Sequence, residues 1–252
     1  LLECANGQAW VLKQALEQLR VESDWFADVR RVHREAEGLR ALRTILPGSV
    51  PEFVFEDFEQ HILAMTAVAQ PHENWKAVLL AGRVCDEHIL QAAVMLARIH
   101  NASWLKEPQF RTFADASFFE SLRIEPYYQH SARAVPQCRG FVTHLIDLTR
   151  RSRLSLVHGD FSPKNLLLHQ GRLILLDFEV MHFGDPSFDL GFSLTHLLSK
   201  AHFVRNRRGQ FLAAAGAYVR EYWSQFGDRA SIGELERRSV MHTIACLLAR
   251  AV

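Results

Sequence analysis

An α+β fold of two unequal lobes, a small β-rich lobe followed by a larger, mainly helical one, is what the sequence predicts, and three observations carry that prediction. Strand-type runs crowd residues 1–69, with a single helical pattern among them. From residue 70 to residue 252, apolar residues recur mostly at helical spacing. One strand–turn–strand segment, "LVHGDFSPKNLLLHQGRLILLDFE" (156–179), interrupts that helical half.

The elements follow in order. "LLECA" and "QAWVLKQ" are β-type runs on either side of Asn6-Gly7, the dipeptide best suited to a type I′ hairpin turn. "DWFADVRRVHREAEGLRALRTIL" (24–46) spaces Val29, Val32, Ala36, Leu39, Leu42 and Ile45 as one helical face, stopped by Pro47-Gly48. "EFVFEDFEQHILAMTAV" (52–68) reads as a second hairpin, with Phe53 and Phe55 in its first arm and Ile62 to Val68 in its second. A linker containing Pro71 leads to the helices "DEHILQAAVMLARIHNASW", "GFVTHLIDLTRR", "SFDLGFSLTHLLSKAHF", "GQFLAAAGAYVREYWSQF" and "SIGELERRSVMHTIACLLARAV". No internal repeat or low-complexity tract appears.

Composition narrows the class. At 252 residues there is ample chain for one large domain or two lobes. Hydrophobic content of 48% and charged content of 23% are those of a soluble globular protein, and a net charge of +1 gives no global field toward nucleic acid or membrane. No apolar run reaches the ~18 residues of a membrane span. The four cysteines (Cys4, Cys85, Cys138, Cys246) are far apart with no C-x-x-C pair, which predicts reduced thiols and a cytoplasmic location. "CDEH" (85–88) offers at most two metal ligands and reads as a solvated face. The start on Leu1 and the apolar, uncapped end "CLLARAV" predict chain beyond both ends.

The candidate chemistry lies in "HGDFSPKN" (158–165). As turn chemistry alone, Gly159 permits unusual φ, Pro163 fixes a bend, and Asp160 and Asn165 bond locally to backbone. The string is followed, however, by a hairpin whose second strand returns Asp177 beside the turn, and then by "GDPSFDLGF", where Asp189 enters a helix. No G-x-x-x-x-G-K-[ST], G-x-G-x-x-G or H-E-x-x-H occurs, and "GFSLT" lacks the second glycine of a nucleophile elbow.

This ordered set resembles the aminoglycoside phosphotransferase and choline kinase-like family, the small-molecule branch of the protein-kinase-like fold. Its pattern is carried by His158, Gly159, Asp160 and Asn165, then Asp177, then Gly184, Asp185, Pro186 and Asp189. The resemblance implies a nucleotide-binding lobe at 1–69 and a catalytic, substrate-binding lobe at 70–252. It implies ATP as donor, Mg2+ held by Asn165 and Asp177, and Asp160 serving the hydroxyl of a small-molecule acceptor. Upstream, "WVLKQA" resembles the strand whose lysine pairs the α/β-phosphates, placing Lys13 there. "HREAEGLRAL" resembles the helix whose Glu holds that lysine; Glu35 is the candidate and Glu37 the near competitor. "ILAMTAVAQ" resembles the strand entering the hinge, where backbone groups near Thr66 and Val68 would meet adenine. His158 is implied to pack the loop. Asp189 is implied to accept backbone N–H groups of the turn, a helix N-cap being the alternative. Lys164 is open between a phosphate contact and an exposed turn lysine.

Departures from the pattern matter as well. The phosphate-covering loop is expected before residue 1, and Ser162 stands where many relatives carry His. Only seven residues separate Asp177 from Asp185, too few for the long activation loop of a protein kinase. The sequence sets no oligomeric state and predicts no nucleic-acid or membrane partner. Two further functions stay open: a catalytically inactive nucleotide-binding regulator, and an aminoglycoside-inactivating kinase. Against the latter, residues 101–157 and 190–252 together hold seventeen Lys/Arg and nine Asp/Glu, the reverse of what a polycation needs, so the expected acceptor is neutral or anionic.

Overall fold

The computed structural model of the chain describes residues 1–3, 9–17, 27–227 and 232–252. The small lobe is an antiparallel sheet of order β1-β2-β4-β3. β1 (Leu2–Glu3) sets Leu2 opposite Trp10 and Glu3 opposite Ala9 of β2 (Ala9–Gln14). The predicted Asn6-Gly7 turn, like Cys4, lies outside the described residues. The predicted second hairpin is present as β3 (Phe53–Asp57) and β4 (Ile62–Thr66), with a bulge between Phe53 and Phe55. α1 (Arg31–Ile45) packs on β3 and β4 and buries Val32, Ala36, Leu39 and Leu42. Val29, the first residue of the predicted helical face, precedes the helix start. Asp28 accepts the Arg30 N–H at 2.8 Å, a local turn that competes with helix up to that point.

The linker expected around Pro71 is more ordered than the sequence suggested. β5 (His72–Asn74) pairs with a strand distant in sequence, His72 opposite His169 and Asn74 opposite Leu167, and α2 (Trp75–Leu80) follows, capped by Asn74 accepting the Lys76 N–H at 3.1 Å. The long α3 (Asp86–Ser103) matches its periodicity. α4 (Ser117–Phe119) continues into a π-helical segment, Glu120–Gln129, and then α5 (His130–Ala134), a stretch without a predicted element. α6 (Arg139–Arg151) leads to β6 (Ser155–Val157), β7 (Leu166–His169), β8 (Arg172–Leu175) and β9 (His182–Gly184). β7 and β8 form the predicted hairpin and, with β5, a three-stranded sheet, while β6 pairs with β9.

α7 (Pro186–Phe203), α8 (Arg208–Phe226) and α9 (Ile232–Leu248) complete the large lobe. α7 is its central pillar, packed on both α8 and α9. Its approach to α9 requires Gly191, where a Cβ would stand 2.6 Å from His242 Cβ and 2.6 Å from the Ser239 carbonyl oxygen. The main buried cluster runs from Val32 and Met65 through Leu96 and Phe178 to Leu197 and Tyr218, so the two lobes share apolar packing below the cleft. Among the described residues no helix is long and apolar enough to cross a membrane.

Candidate active site

Local conformation builds the central loop. After β6 the chain reverses at Gly159, whose φ is +77° and where a Cβ would lie 2.9 Å from Val180 Cγ2 and 3.0 Å from the Val180 carbonyl oxygen. Only glycine satisfies both constraints. The turn is held from beneath by Asp189 of α7, which accepts the His158 N–H at 2.6 Å and the Gly159 N–H at 2.8 Å. That settles the alternative left by the sequence, because Asp185, accepting the Ser187 N–H at 3.0 Å, is the residue that caps α7. Burial works to raise the Asp189 carboxyl, but His100 and the loop N–H groups outweigh it and hold the group below the usual carboxylate range. His100 reaches Asp189 at 3.2 Å and is itself aimed by the Tyr222 hydroxyl at 2.7 Å. His158 is fully buried and packs the loop: one ring nitrogen accepts the Asp160 N–H at 3.1 Å and the other donates to the Leu176 carbonyl at 3.2 Å. Burial lowers its pKa, in keeping with a neutral ring that has one donor and one acceptor.

The two oxygens of Asp160 differ. Oδ2 receives Asn165 Nδ2 at 2.8 Å, Arg123 Nη2 at 2.9 Å and Lys164 Nζ at 2.7 Å. Oδ1 is buried and accepts no hydrogen bond from any described residue. Asn165 closes the short turn Pro163–Asn165 and points its amide nitrogen at both the carbonyl (3.0 Å) and carboxylate of Asp160, leaving its own Oδ1 for another ligand. Arg123 comes from the π-helical segment and also donates to the Gly159 carbonyl at 2.7 Å. Burial alone would depress its pKa, yet the Asp160 carboxylate keeps it above its ordinary value.

From the other side of the cleft, Lys13 of β2 meets Glu35 of α1, its Nζ lying 2.8 and 2.7 Å from the two carboxylate oxygens. Glu37, the competitor in sequence, faces Arg34 at 3.7 Å instead. Lys13 also reaches Asp177 Oδ1 at 3.2 Å. Burial would lower the Lys13 pKa, but the two carboxylates overcome it and raise it. Burial lifts Glu35 to about 7 against the pull of the same ammonium, and at this spacing Glu35 is the carboxylate partner of the pair. Asp177 is delivered by the β7–β8 hairpin, as its sequence position predicts, and sits at φ +70°. Burial opposes its ionisation, while Lys13 and Lys164 prevail and hold its pKa down.

Lys13, Glu35, Asn165 and Asp177 border a cleft of about 950 Å³. Ala9, Val11 and Met65 line one side and Leu167 and Leu176 the other, with Lys13, Glu35, Asn165 and Asp177 at its polar end. Thr66 and Val68 both line it, but with different backbone freedom. The Thr66 N–H is taken by the Glu52 carbonyl at 2.9 Å and that of Ala67 by Ala9 at 2.8 Å, whereas Val68 has no backbone hydrogen bond to another described residue. Sequence motifs did not mark Arg123, His100 or Arg31, which ties Glu179 at 3.1 Å. Each lies far in sequence from the group it holds, and only the fold joins them.

The pattern that defines the phosphotransferase enzyme family (APH) matches residues 4–230, and the chain belongs to that family. A methylthioribose kinase of Citrobacter koseri is 24% identical over an alignment of 258 residues, covering 90% of this chain and 64% of that enzyme, so the chain spans less than two thirds of that relative. Among solved structures, amicoumacin kinase hAmiN, in complex with AMP-PNP, Ca2+ and Ami, superposes with a TM-score of 0.60 at 18% identity, covering 99% of this chain and 77% of that one. The aminoglycoside phosphotransferase APH(3'')-Id from Streptomyces rimosus gives 0.55 at 15% identity, covering 97% and 88%. The two-lobed protein-kinase-like fold is thus common to all three chains.

Proposed function

We propose that the chain is the core of an ATP-dependent kinase that phosphorylates a hydroxyl group of a small molecule. The observation that carries this reading is the convergence of Asn165 and Asp177 with the Lys13–Glu35 pair on one cleft, with Asp160 held directly behind Asn165 by a 2.8 Å hydrogen bond. Residues 1–69 serve as the nucleotide-binding lobe and 70–252 as the catalytic and acceptor lobe. Adenine enters between the apolar walls with Val68 as the hinge contact, Thr66 contributing surface rather than a free N–H. Lys13, aimed by Glu35, meets the α/β-phosphates.

The donor set fits Mg2+. Asp177 and the Oδ1 of Asn165 are hard oxygen ligands, and among the described residues no cluster of three or more His, Cys, Asp or Glu exists that would enclose a different ion. Mg2+ held by few protein oxygens takes the rest from water and phosphate. When bound it neutralises charge on the transferring phosphoryl group. The chain's own groups do the remainder. The acceptor hydroxyl oxygen attacks the γ-phosphorus, the bond to the bridging oxygen of ADP breaks, and the hydroxyl proton passes to Asp160. Its Oδ1 has acceptor capacity that no described residue uses, while the three donors on Oδ2 fix the carboxylate's orientation. The charge balance of the large-lobe segments favours a neutral or anionic acceptor over an aminoglycoside. The free thiols of Cys85, Cys138 and Cys246 suit the reducing cytoplasm in which such a kinase would find its ATP.

The test is ADP release measured against a panel of hydroxyl compounds. Wild type releases ADP only with Mg2+ and an acceptor present. Asp160→Asn, nearly isosteric, loses about 10³-fold in kcat while nucleotide Kd stays within about threefold. Wild-type kcat in that variant would remove Asp160 from the chemistry.

A further inference from the structure

Lys200 of α7 is only 5% exposed, yet among the described residues its Nζ has a single hydrogen bond, to the His196 carbonyl at 3.3 Å on its own helix. Among the described residues no carboxylate lies within 4 Å of it. The other deeply buried cations each have a carboxylate: Arg31 has Glu179, Arg123 has Asp160, Arg238 has Asp185, and Arg34 has Glu37 at 3.7 Å beside the Thr112 carbonyl at 2.6 Å. Around Lys200 the charge is of one sign. Arg250 places Nη2 2.9 Å from His196 Nε2. Burial, then Arg250 and Lys76, bring the Lys200 pKa down to about 8. Burial, then Arg250, Lys200, Lys164 and Lys76, press His196 well below its ordinary value. An uncompensated buried cation is destabilising and points to a function rather than to the fold.

Its position says which function. α7 runs outward from beneath the central loop: Asp189 holds the turn, and Ser193 one turn on donates to the Phe161 carbonyl at 2.9 Å. His196 and Lys200 continue that stripe at i+3 and i+4, so Lys200 lies about 10 Å beyond Ser193 along the axis. Asn74, the cap of α2, donates to the Lys164 carbonyl at 2.7 Å and thereby sets α2, with Lys76 in its first turn, against the same loop. Lys164 joins the two groups, touching Asp160 Oδ2 at 2.7 Å and contributing to the field at His196. Lys164 thus touches Asp160 itself, while Lys200, His196 and Arg250 lie further out along the helix that starts beneath the Asp160 loop; Lys13 already provides for the nucleotide phosphates.

We propose that the acceptor carries an anionic group, a carboxylate or a phosphate, that is received by Lys200 with His196, Arg250 and Lys76 while its hydroxyl lies at Asp160. The inference rests on the kinase reading above and narrows its substrate class. Ammonium and guanidinium donors at one spot suit either anion through charge-assisted hydrogen bonds.

Two measurements test it, both on the chain saturated with Mg·AMP-PNP or Mg·ATP. In the first, inorganic phosphate is titrated into the Mg·AMP-PNP complex by calorimetry. Wild type binds it saturably in the millimolar range, and Lys200→Met and Arg250→Gln each weaken it about tenfold or more; wild type without saturable binding overturns the inference. In the second, Mg·ATP turnover is compared across hydroxycarboxylates, sugar phosphates, neutral polyols and aminoglycosides. The highest kcat/KM falls on one of the two anionic classes, the better of them identifying the anion, and Lys200→Met raises KM for it about tenfold with nucleotide Kd unchanged. A neutral or cationic compound as the best acceptor overturns the anionic assignment and leaves the kinase reading standing. Failure to bind Mg·AMP-PNP at all would instead overturn the kinase reading.

Discussion

Two lysines, Lys13 of β2 and Lys200 of α7, have opposite surroundings. Lys13 lies between Glu35 and Asp177, so one positive charge answers two negative ones. Lys200 lies with Arg250 and Lys76, and with no carboxylate partner among the described residues. At the Lys13 end, the surplus negative charge calls for a divalent cation and the pairing already aims the ammonium. At the Lys200 end, the surplus positive charge calls for an anion. The difference between them is a map of charge across the proposed reaction: metal and phosphates on one side, an acidic acceptor on the other.

The comparison breaks most severely at Asp177. Asp177→Asn keeps the shape but removes the charge that matches Lys13, and phosphotransfer falls by about 10³-fold or more. The Mg2+ dependence of nucleotide binding disappears with it; a variant that retains this dependence in calorimetry would show that the metal is held elsewhere. Next in size is Lys13→Met. It lowers kcat about 10²-fold, the scale of one lost stabilising donor, and leaves Glu35 and Asp177 facing each other. Because the Lys13 side chain is 37% exposed, solvent screens the loss, and stability falls by only about 1 kcal/mol.

Arg123→Lys probes the junction between the two regions. A lysine cannot serve the Gly159 carbonyl and the Asp160 carboxylate together as the guanidinium does, so kcat falls about tenfold while nucleotide affinity holds. Unchanged turnover in stopped-flow assays would show that Asn165 and Lys164 suffice to orient Asp160.

The smallest effect has the opposite sign. Lys200→Met, the same replacement made at Lys13, raises Tm by about 5 °C at pH 7, because it removes a cation whose burial is uncompensated. The pH dependence follows from its pKa being lowered to about 8. Unfolded lysine holds its proton up to about 10.4, so the unfolded chain binds more protons between these values. Wild-type stability therefore gains with rising pH from about 8 to about 10 relative to Lys200→Met, and the two converge at the alkaline end. Parallel melting curves across that range would rule out the buried charge.

Much of this was legible in residue order. The helices α3, α6, α7 and α8 follow their apolar spacing closely, and the central motif marked Asp160, Asn165 and Asp177 because turn residues and a returning strand leave a local signature. What was not legible depends on distant partners. β5 has three residues and no periodicity of its own, and it exists because β7 offers an edge. The π-helical segment contains Pro126, which breaks the helical pattern that would have announced it. Arg123 lies thirty-six residues before the carbonyl it holds, with no motif around it. Thr66 and Val68 are marked only by the resemblance of their segment to a hinge strand, because backbone contacts leave no side-chain signature; the fold adds that the Thr66 N–H is already given to the Glu52 carbonyl.

The backbone of Asp177 has a consequence for descent. At φ +70° it occupies the left-handed region that aspartate and asparagine enter readily and alanine enters at a cost of about 1 kcal/mol. Aspartate and asparagine codons differ by a single base. One point mutation can therefore discharge the proposed metal site without straining the loop, the hairpin or the shared core beneath it. A lineage from this gene to a folded but silent protein, still able to hold a nucleotide, starts one nucleotide away.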